Sequence, residues 1–202
     1  MSVVSKMNPL RVLVICPSWV GDVVMATPAL RLVRSRMKGS FIGGLVRPGI
    51  DELLAGTDFF DEVHVERAGG VMGPKFAAGK LRPRRYEAAL LLTNSFSTAL
   101  IARVAGVPRR VGYNRDARGL LLTDRLEAPK RADGRWLPVS AVAYYWNAAV
   151  EFLERCGRGD GLRGGFDLPD ARMELGVSTE QDRAGSELLE RDREWDRAEQ
   201  SC

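Results

Sequence analysis

Histidine is almost absent from this chain, and a zinc site built on histidines is excluded with it. The single one, His64, lies in the alternating stretch Glu62-Val63-His64-Val65-Glu66 and reads as a strand surface or edge residue. Cysteine is scarce too. Cys16, Cys156 and Cys202 stand far apart, and none belongs to a CxxC or metal-ligand pattern, so no metal is expected. No apolar run approaches the roughly 20 residues needed to span a bilayer. Residues 1–11 hold Lys6 but no apolar stretch long enough for a secretory signal, and the expected location is the cytoplasm. The G-x-G-x-x-G dinucleotide fingerprint is missing, and no Gly-Lys-Ser/Thr phosphate loop occurs. Strong charge of one sign is lacking as well. The 30 basic and 26 acidic residues leave a net +4, too mild to imply nucleic acid. The arginine clusters carry neither interleaved aromatics nor a reading helix, so nucleic acid is not an expected partner.

What is present is an alternation of short apolar runs and helical spacings. Arg11-Val12-Leu13-Val14-Ile15-Cys16 is nearly continuous and β-branched, as in a parallel strand buried on both faces. A turn at 17–21 precedes Ala26, Ala29, Leu30, Val33 and Met37, which recur on one helical face. Pro28 either sits in the first turn of that helix, with Thr27 as cap, or lies inside a helix that began near Gly21. Further strands are expected at 41–46, 62–65, 88–92 and 109–113, with a short helix at 50–55. Another helix, through Phe96, Ala99, Leu100 and Val104, takes Asn94 or Ser95 as its cap. Residues 68–85, rich in glycine, proline and arginine, read as a long loop with one helical turn around Phe76. A long helix is expected over 139–156, then a glycine-rich linker, then a charged segment with a narrow apolar stripe. Alternating strands and helices imply an α/β fold, a Rossmann-like doubly wound parallel sheet.

In open α/β sheets, ligands bind outside the carboxyl ends of the strands. The turn Pro17-Ser18-Trp19-Val20-Gly21-Asp22 occupies such an edge and places a carboxylate at a helix mouth. An aspartate there is often only a cap or a dipole partner. Trp19 either presents an aromatic face to a ligand or packs against the sheet edge. Asn94 and Ser95 follow another strand at the same edge, as caps or as ligand contacts. Clusters at Arg82, Arg84 and Arg85, at Arg109 and Arg110, and at Lys130 and Arg131 are ordinarily solvated, but also suit an anionic partner.

The segment 12–25, with its Pro-Ser-Trp-Val-Gly-Asp, resembles the opening of the lipopolysaccharide heptosyltransferases, the family 9 glycosyltransferases, and the second heptosyltransferase type above all. A second block agrees, Leu92-Thr93-Asn94-Ser95-Phe96-Ser97 followed by Ala105-Gly106-Val107-Pro108-Arg109-Arg110-Val111-Gly112-Tyr113. A weaker third runs from Arg118 to Asp124. The resemblance covers about residues 10–155. It implies the N-terminal domain of a GT-B glycosyltransferase, with residues 1–165 as the acceptor-side domain and 166–202 as linker and opening of a donor domain that is otherwise missing. It also implies inverting transfer of heptose from ADP-heptose to the inner core of lipopolysaccharide, a Kdo-lipid A bearing heptose, with no cofactor. Asp22 matches the family's general base, and Ser18, Trp19, Gly21, Asn94 and Ser95 become acceptor-binding candidates. The missing domain would carry ADP-heptose, leaving this portion inactive alone. Peripheral contact with the cytoplasmic face of the inner membrane fits such an acceptor. A non-catalytic module for anionic glycolipid is the alternative from another class.

Overall fold

The computed structural model describes residues 8–67, 70, 72–131, 133–162 and 172–199, the last nine as backbone only. Among these, β1 (Arg11–Ile15), β2 (Phe41–Val46), β3 (Glu62–Val65), β4 (Ala88–Leu91), β5 (Arg109–Tyr113) and β6 (Asp124–Leu126) form one sheet. The order is β3-β2-β1-β4-β5-β6 and every pairing is parallel. This is the Rossmann order, and it reverses direction between β1 and β4.

The period of two along β1 explains the layers. Val12 and Val14 point to one face, Leu13 and Ile15 to the other, and all four are buried. On the first face lie α1 (Val20–Arg36), α2 (Ile50–Leu53) and α5 (Ala141–Arg155). On the second lie α3 (Gly73–Leu81) and α4 (Phe96–Val104). Both faces of the sheet are thus covered, as a parallel sheet requires. Cys16 ends β1 within this core, and burial pushes its thiol up to about 12.

Several expectations change in detail. Pro28 lies well inside α1, so the helix begins near Gly21 and not at Thr27, whose hydroxyl instead donates back to the Val24 carbonyl at 2.8 Å. The long loop expected at 68–85, with one helical turn around Phe76, instead contains the nine-residue α3, followed by a 3-10 turn at Arg82–Arg84. Pro74 stands in the first turn, where its missing N–H costs nothing, and Ala77, Ala78 and Leu81 bury one face against α4. Arg110 is not solvated. It is 7% exposed and donates to the carbonyls of Leu121, Val107 and Pro108. His64 does lie on the edge strand β3, but its side chain is largely covered and its Nε2 sits 2.7 Å from the Tyr86 hydroxyl.

The domain boundary expected at 165/166 falls within 163–171, outside the described residues, as do Lys6 and Cys202. Residues 172–178 return along α1 and α2. Arg31 pairs with Glu174 at 2.9 Å, and the Glu174 N–H donates to the Thr27 hydroxyl. Gly56 and Gly176 touch backbone to backbone, so a Cβ on either would collide with the other. Ser178 and Gln181 then form a reciprocal capping box that starts α6 (Thr179–Glu199). Among the described residues no helix is long and apolar enough to cross a membrane.

Candidate active site at the sheet's carboxyl edge

The chain leaves β1 and β4 in opposite directions, so their two turns open a crevice at the point where the strand order reverses. The β1 turn delivers Ser18, Trp19, Gly21 and Asp22. The β4 turn delivers Asn94 and Ser95. All six come to one edge. Ser18, Trp19 and Ser95 line one cleft there and Asn94 lines another, while Gly21 and Asp22 line neither.

The first cleft, about 500 Å³, is lined by Ser18, Trp19, Arg47, Glu66, Ser95, Ser97 and Thr98 among others. Trp19 is 77% exposed, so it does not pack against the sheet and its ring stands free at the rim. Arg47 faces Glu66 at 3.7 Å, and burial still raises the Glu66 carboxyl above its ordinary range. The second cleft, about 570 Å³, lies between the loop after β6 and the start of α5. Asn94, Arg115, Arg131, Arg135, Trp136, Tyr144 and Tyr145 line it. Arg115 and Lys130 stand 4.7 and 4.9 Å from the Trp136 ring centroid, within cation–π range. The Arg115 Nε is buried with no hydrogen-bond partner among the described residues.

Asp22 borders neither cleft directly. It is half-buried in the first turn of α1, close to the positive end of the helix dipole. The Tyr145 hydroxyl, which lines the second cleft, donates to its Oδ1 at 3.2 Å. Burial, then the adjacent Asp22 charge, push the Tyr145 phenol well above its ordinary pKa, so it stays a donor at neutral pH. One carboxylate oxygen is thereby fixed. The other, Oδ2, has no side-chain hydrogen bond among the described residues.

Ser95 is the helix cap: its Oγ accepts the Ser97 N–H at 3.2 Å, and Asn94 does not cap. Asn94 Oδ1 instead accepts from the Tyr144 hydroxyl at 3.2 Å and from Arg118 at 3.3 Å. Arg118 is fully buried. Its guanidinium also donates to the carbonyls of Tyr113 and Thr93, and burial lowers its pKa to about 10, which leaves it charged at neutral pH. Tyr113 stacks on Tyr144 at 3.8 Å, and Tyr144 meets Tyr145 edge to face at 6.1 Å. An aromatic row therefore runs from Asn94 to the partner of Asp22. Tyr144, Tyr145, Arg115 and Trp136 are site residues that carry no motif in the sequence. A tyrosine pair at the start of a helix that follows a proline was the available signal.

Ser95→Ala should remove the cap of α4 and cost about 1 kcal/mol. For a chain of this size that corresponds to roughly 2–4 °C in melting temperature. An unchanged melting temperature would mean that water or Ser97 takes over the cap.

Residues 77–184, more than half of the chain, match the family model described as glycosyltransferase family 9 (heptosyltransferase). The chain belongs to that family. Among curated family 9 proteins, lipopolysaccharide heptosyltransferase 2 of Escherichia coli K12 is 33% identical over 119 residues, 57% of this chain and 34% of that protein. The solved structure of the E. coli ADP-heptose lipopolysaccharide heptosyltransferase II superposes with a TM-score of 0.67 at 24% identity, over 89% of this chain and 50% of the other. A family 9 glycosyltransferase from Veillonella parvula superposes at 0.65 with 16% identity, over 87% of this chain and 47% of that one. The parallel α/β sheet is thus the fold of these GT-B enzymes. The chain spans about half the length of the solved relatives and a third of the curated one. Asp22 precedes the stretch that the family model matches.

Proposed function

We propose that this family 9 chain receives the acceptor in an inverting transfer of heptose from ADP-heptose to the inner core of lipopolysaccharide. The acceptor would be a Kdo-lipid A that already bears heptose. The observation that carries the proposal is the Asp22 carboxylate, held on one oxygen by Tyr145 at the carboxyl edge of a Rossmann-order sheet. Heptosyltransferase 2 is also the name of the curated relatives.

A sugar hydroxyl is a weak acid, so a base that takes its proton as it attacks lowers the barrier. In the proposed step a bond forms between the acceptor oxygen and the anomeric carbon. The bond from that carbon to the ADP oxygen breaks on the opposite face, and the proton passes to Asp22. Tyr145 keeps the carboxylate oriented, since its hydroxyl can donate but is too weak an acid to surrender its own proton. Ser18 and Trp19 border the acceptor on one side and Asn94 on the other. Gly21 leaves the mouth of α1 open, for nothing lies within 4 Å of where its Cβ would stand. Arg115, Arg131 and Arg135 offer guanidinium groups suited to carboxylates and phosphates of an anionic core.

Calorimetric titration of the chain with a heptosylated, Kdo-bearing, phosphorylated acceptor should show saturable binding. Arg115→Ala should weaken it about tenfold or more, the loss of one charge-assisted pair worth roughly 1.5–3 kcal/mol. ADP is expected to compete at neither cleft, because in the proposed reading both serve the acceptor. Displacement of the acceptor by ADP, or binding indifferent to Arg115, would sink this reading.

A further inference from the structure

We propose that the outward face of α3 is a docking surface for an anionic lipid bilayer. The inference rests on the proposed function only in that an acceptor built on lipid A resides in a membrane. The observations are local to α3.

This helix buries Ala77, Ala78 and Leu81 against the body of the fold. Its opposite face, at the spacing i, i+3, i+4 and i+8, presents Met72, Lys75, Phe76 and Lys80. Met72 is 50% exposed and Phe76 is 62% exposed. A phenylalanine kept in water between two lysines, with an exposed methionine at the cap before them, is unusual on a nine-residue helix whose other face is packed. Scattered apolar residues need no explanation, but an apolar tip ringed by one sign of charge does. Arg67 and Lys80 line a shallow recess with Phe76, and Arg84 and Arg85 continue the cationic surface beyond the helix. Two carboxylates lie near, and both are engaged: Glu62 pairs with Arg84 at 2.6 Å and Glu66 with Arg47 at 3.7 Å. Lys75, Lys80, Arg67 and Arg85 have no ion-pair partner among the described residues.

The placement is also directional. Pro74 and Gly70 line the first cleft together with Ser18 and Trp19, so a bilayer met by α3 lies alongside the mouth of that cleft. An interfacial helix of this kind inserts apolar side chains to the headgroup boundary while its lysines meet anionic headgroups. Phe76 and Met72 supply the first part, and the cations supply the second. A bilayer suits this face better than a protein does, because the exposed apolar area is small and all of the unpaired charge is positive.

The test is flotation of the full chain with phosphatidylcholine vesicles, with and without phosphatidylglycerol, and with neither acceptor nor donor present. Binding is expected only to the anionic vesicles, falling as salt rises. The pair Lys75→Glu and Lys80→Glu should weaken it by about 25-fold or more, since each cation near the surface contributes roughly fivefold. Phe76→Ser alone should weaken it as well, while leaving the salt dependence in place. All three positions are exposed, so melting temperatures should be unchanged, and that is measured alongside. Vesicle binding that survives the α3 substitutions, or no vesicle binding by the wild-type chain, overturns the proposal. So does a dimer that dissociates on Phe76→Ser, which would assign the face to a second copy. Because no sugar is transferred, failure here leaves the proposed function standing, and loss of acceptor binding leaves this surface standing.

Discussion

Asp22→Asn is expected to lower turnover by about 10²–10⁴-fold, the usual cost of removing a general base. The chain covers half of the solved E. coli heptosyltransferase II. The measurement is therefore made on a fusion carrying the remaining half of that enzyme. Asparagine keeps the shape and can still accept the Tyr145 hydroxyl through its carbonyl oxygen, so the melting temperature should move little. The acceptor titration should also be nearly unchanged, which separates lost basicity from a lost binding contact. A structural cap would behave in the opposite way, with turnover kept and about 1 kcal/mol of stability lost. Tyr145→Phe is the companion variant. It frees the carboxylate to rotate and should lower turnover by less than Asp22→Asn. Equal losses would mean that Tyr145 itself is part of the proton path, and an active Asp22→Asn fusion would place the base elsewhere.

Arg118→Met should cost more stability than any surface arginine. Its guanidinium supplies donors to the Thr93 and Tyr113 carbonyls and to Asn94. Asn94 keeps Tyr144 as a donor and the Tyr113 carbonyl keeps the Arg115 N–H at 2.9 Å, but the Thr93 carbonyl is left short inside the protein. An unsatisfied Thr93 acceptor costs about 1–3 kcal/mol and the charge-assisted bonds to Tyr113 and Asn94 are lost with it; less the relief of no longer burying a charge, the net loss is roughly 2–4 kcal/mol. That is about 4–16 °C of melting temperature for a chain of this size. Arg118→Lys should recover less than half, because an ammonium lacks the planar fork that reaches several acceptors at once. Full rescue by lysine would show that charge, and not geometry, is what the site requires. Because Arg118 steadies the turn after β4, the variant should also weaken acceptor binding before the protein unfolds.

The parallel sheet was legible because strands buried on both faces read as continuous apolar runs, and β1 and β4 are such runs. The strand β6 was not. It is three residues long and begins Asp124-Arg125, so no apolar run marks it, and only its pairing with β5 makes it a strand. The helix α3 was hidden by Gly73, Pro74 and Gly79, which depress helix propensity. Packing of Ala77, Ala78 and Leu81 overrides that deficit.

At the site, the residues following β1 and β4 could be named from their position after apolar runs, including Ser95 as a cap. The partner of Asp22 could not. Tyr145 is 123 positions away, and only the packing of α5 against α1 brings the two together. Arg118 was hidden differently. It sits among many arginines, and nothing in composition distinguishes a buried one from a solvated one. Its neighbours Asp116 and Ala117 adopt left-handed backbone angles that turn it inward.

The central pairing of the sheet also sets an order of events during synthesis. β1 emerges first and finds β2, to whose outer edge β3 then adds, but the second edge of β1 is completed only by β4, which follows α3 in the chain. At roughly 5–20 residues per second, that edge stays open for on the order of several seconds on the ribosome. Throughout that interval Val12, Leu13, Val14 and Ile15 offer an unpaired, wholly apolar strand edge, a ready template for another nascent chain. The same strand that later anchors the Asp22 turn is therefore exposed to wrong pairing while the protein is being made.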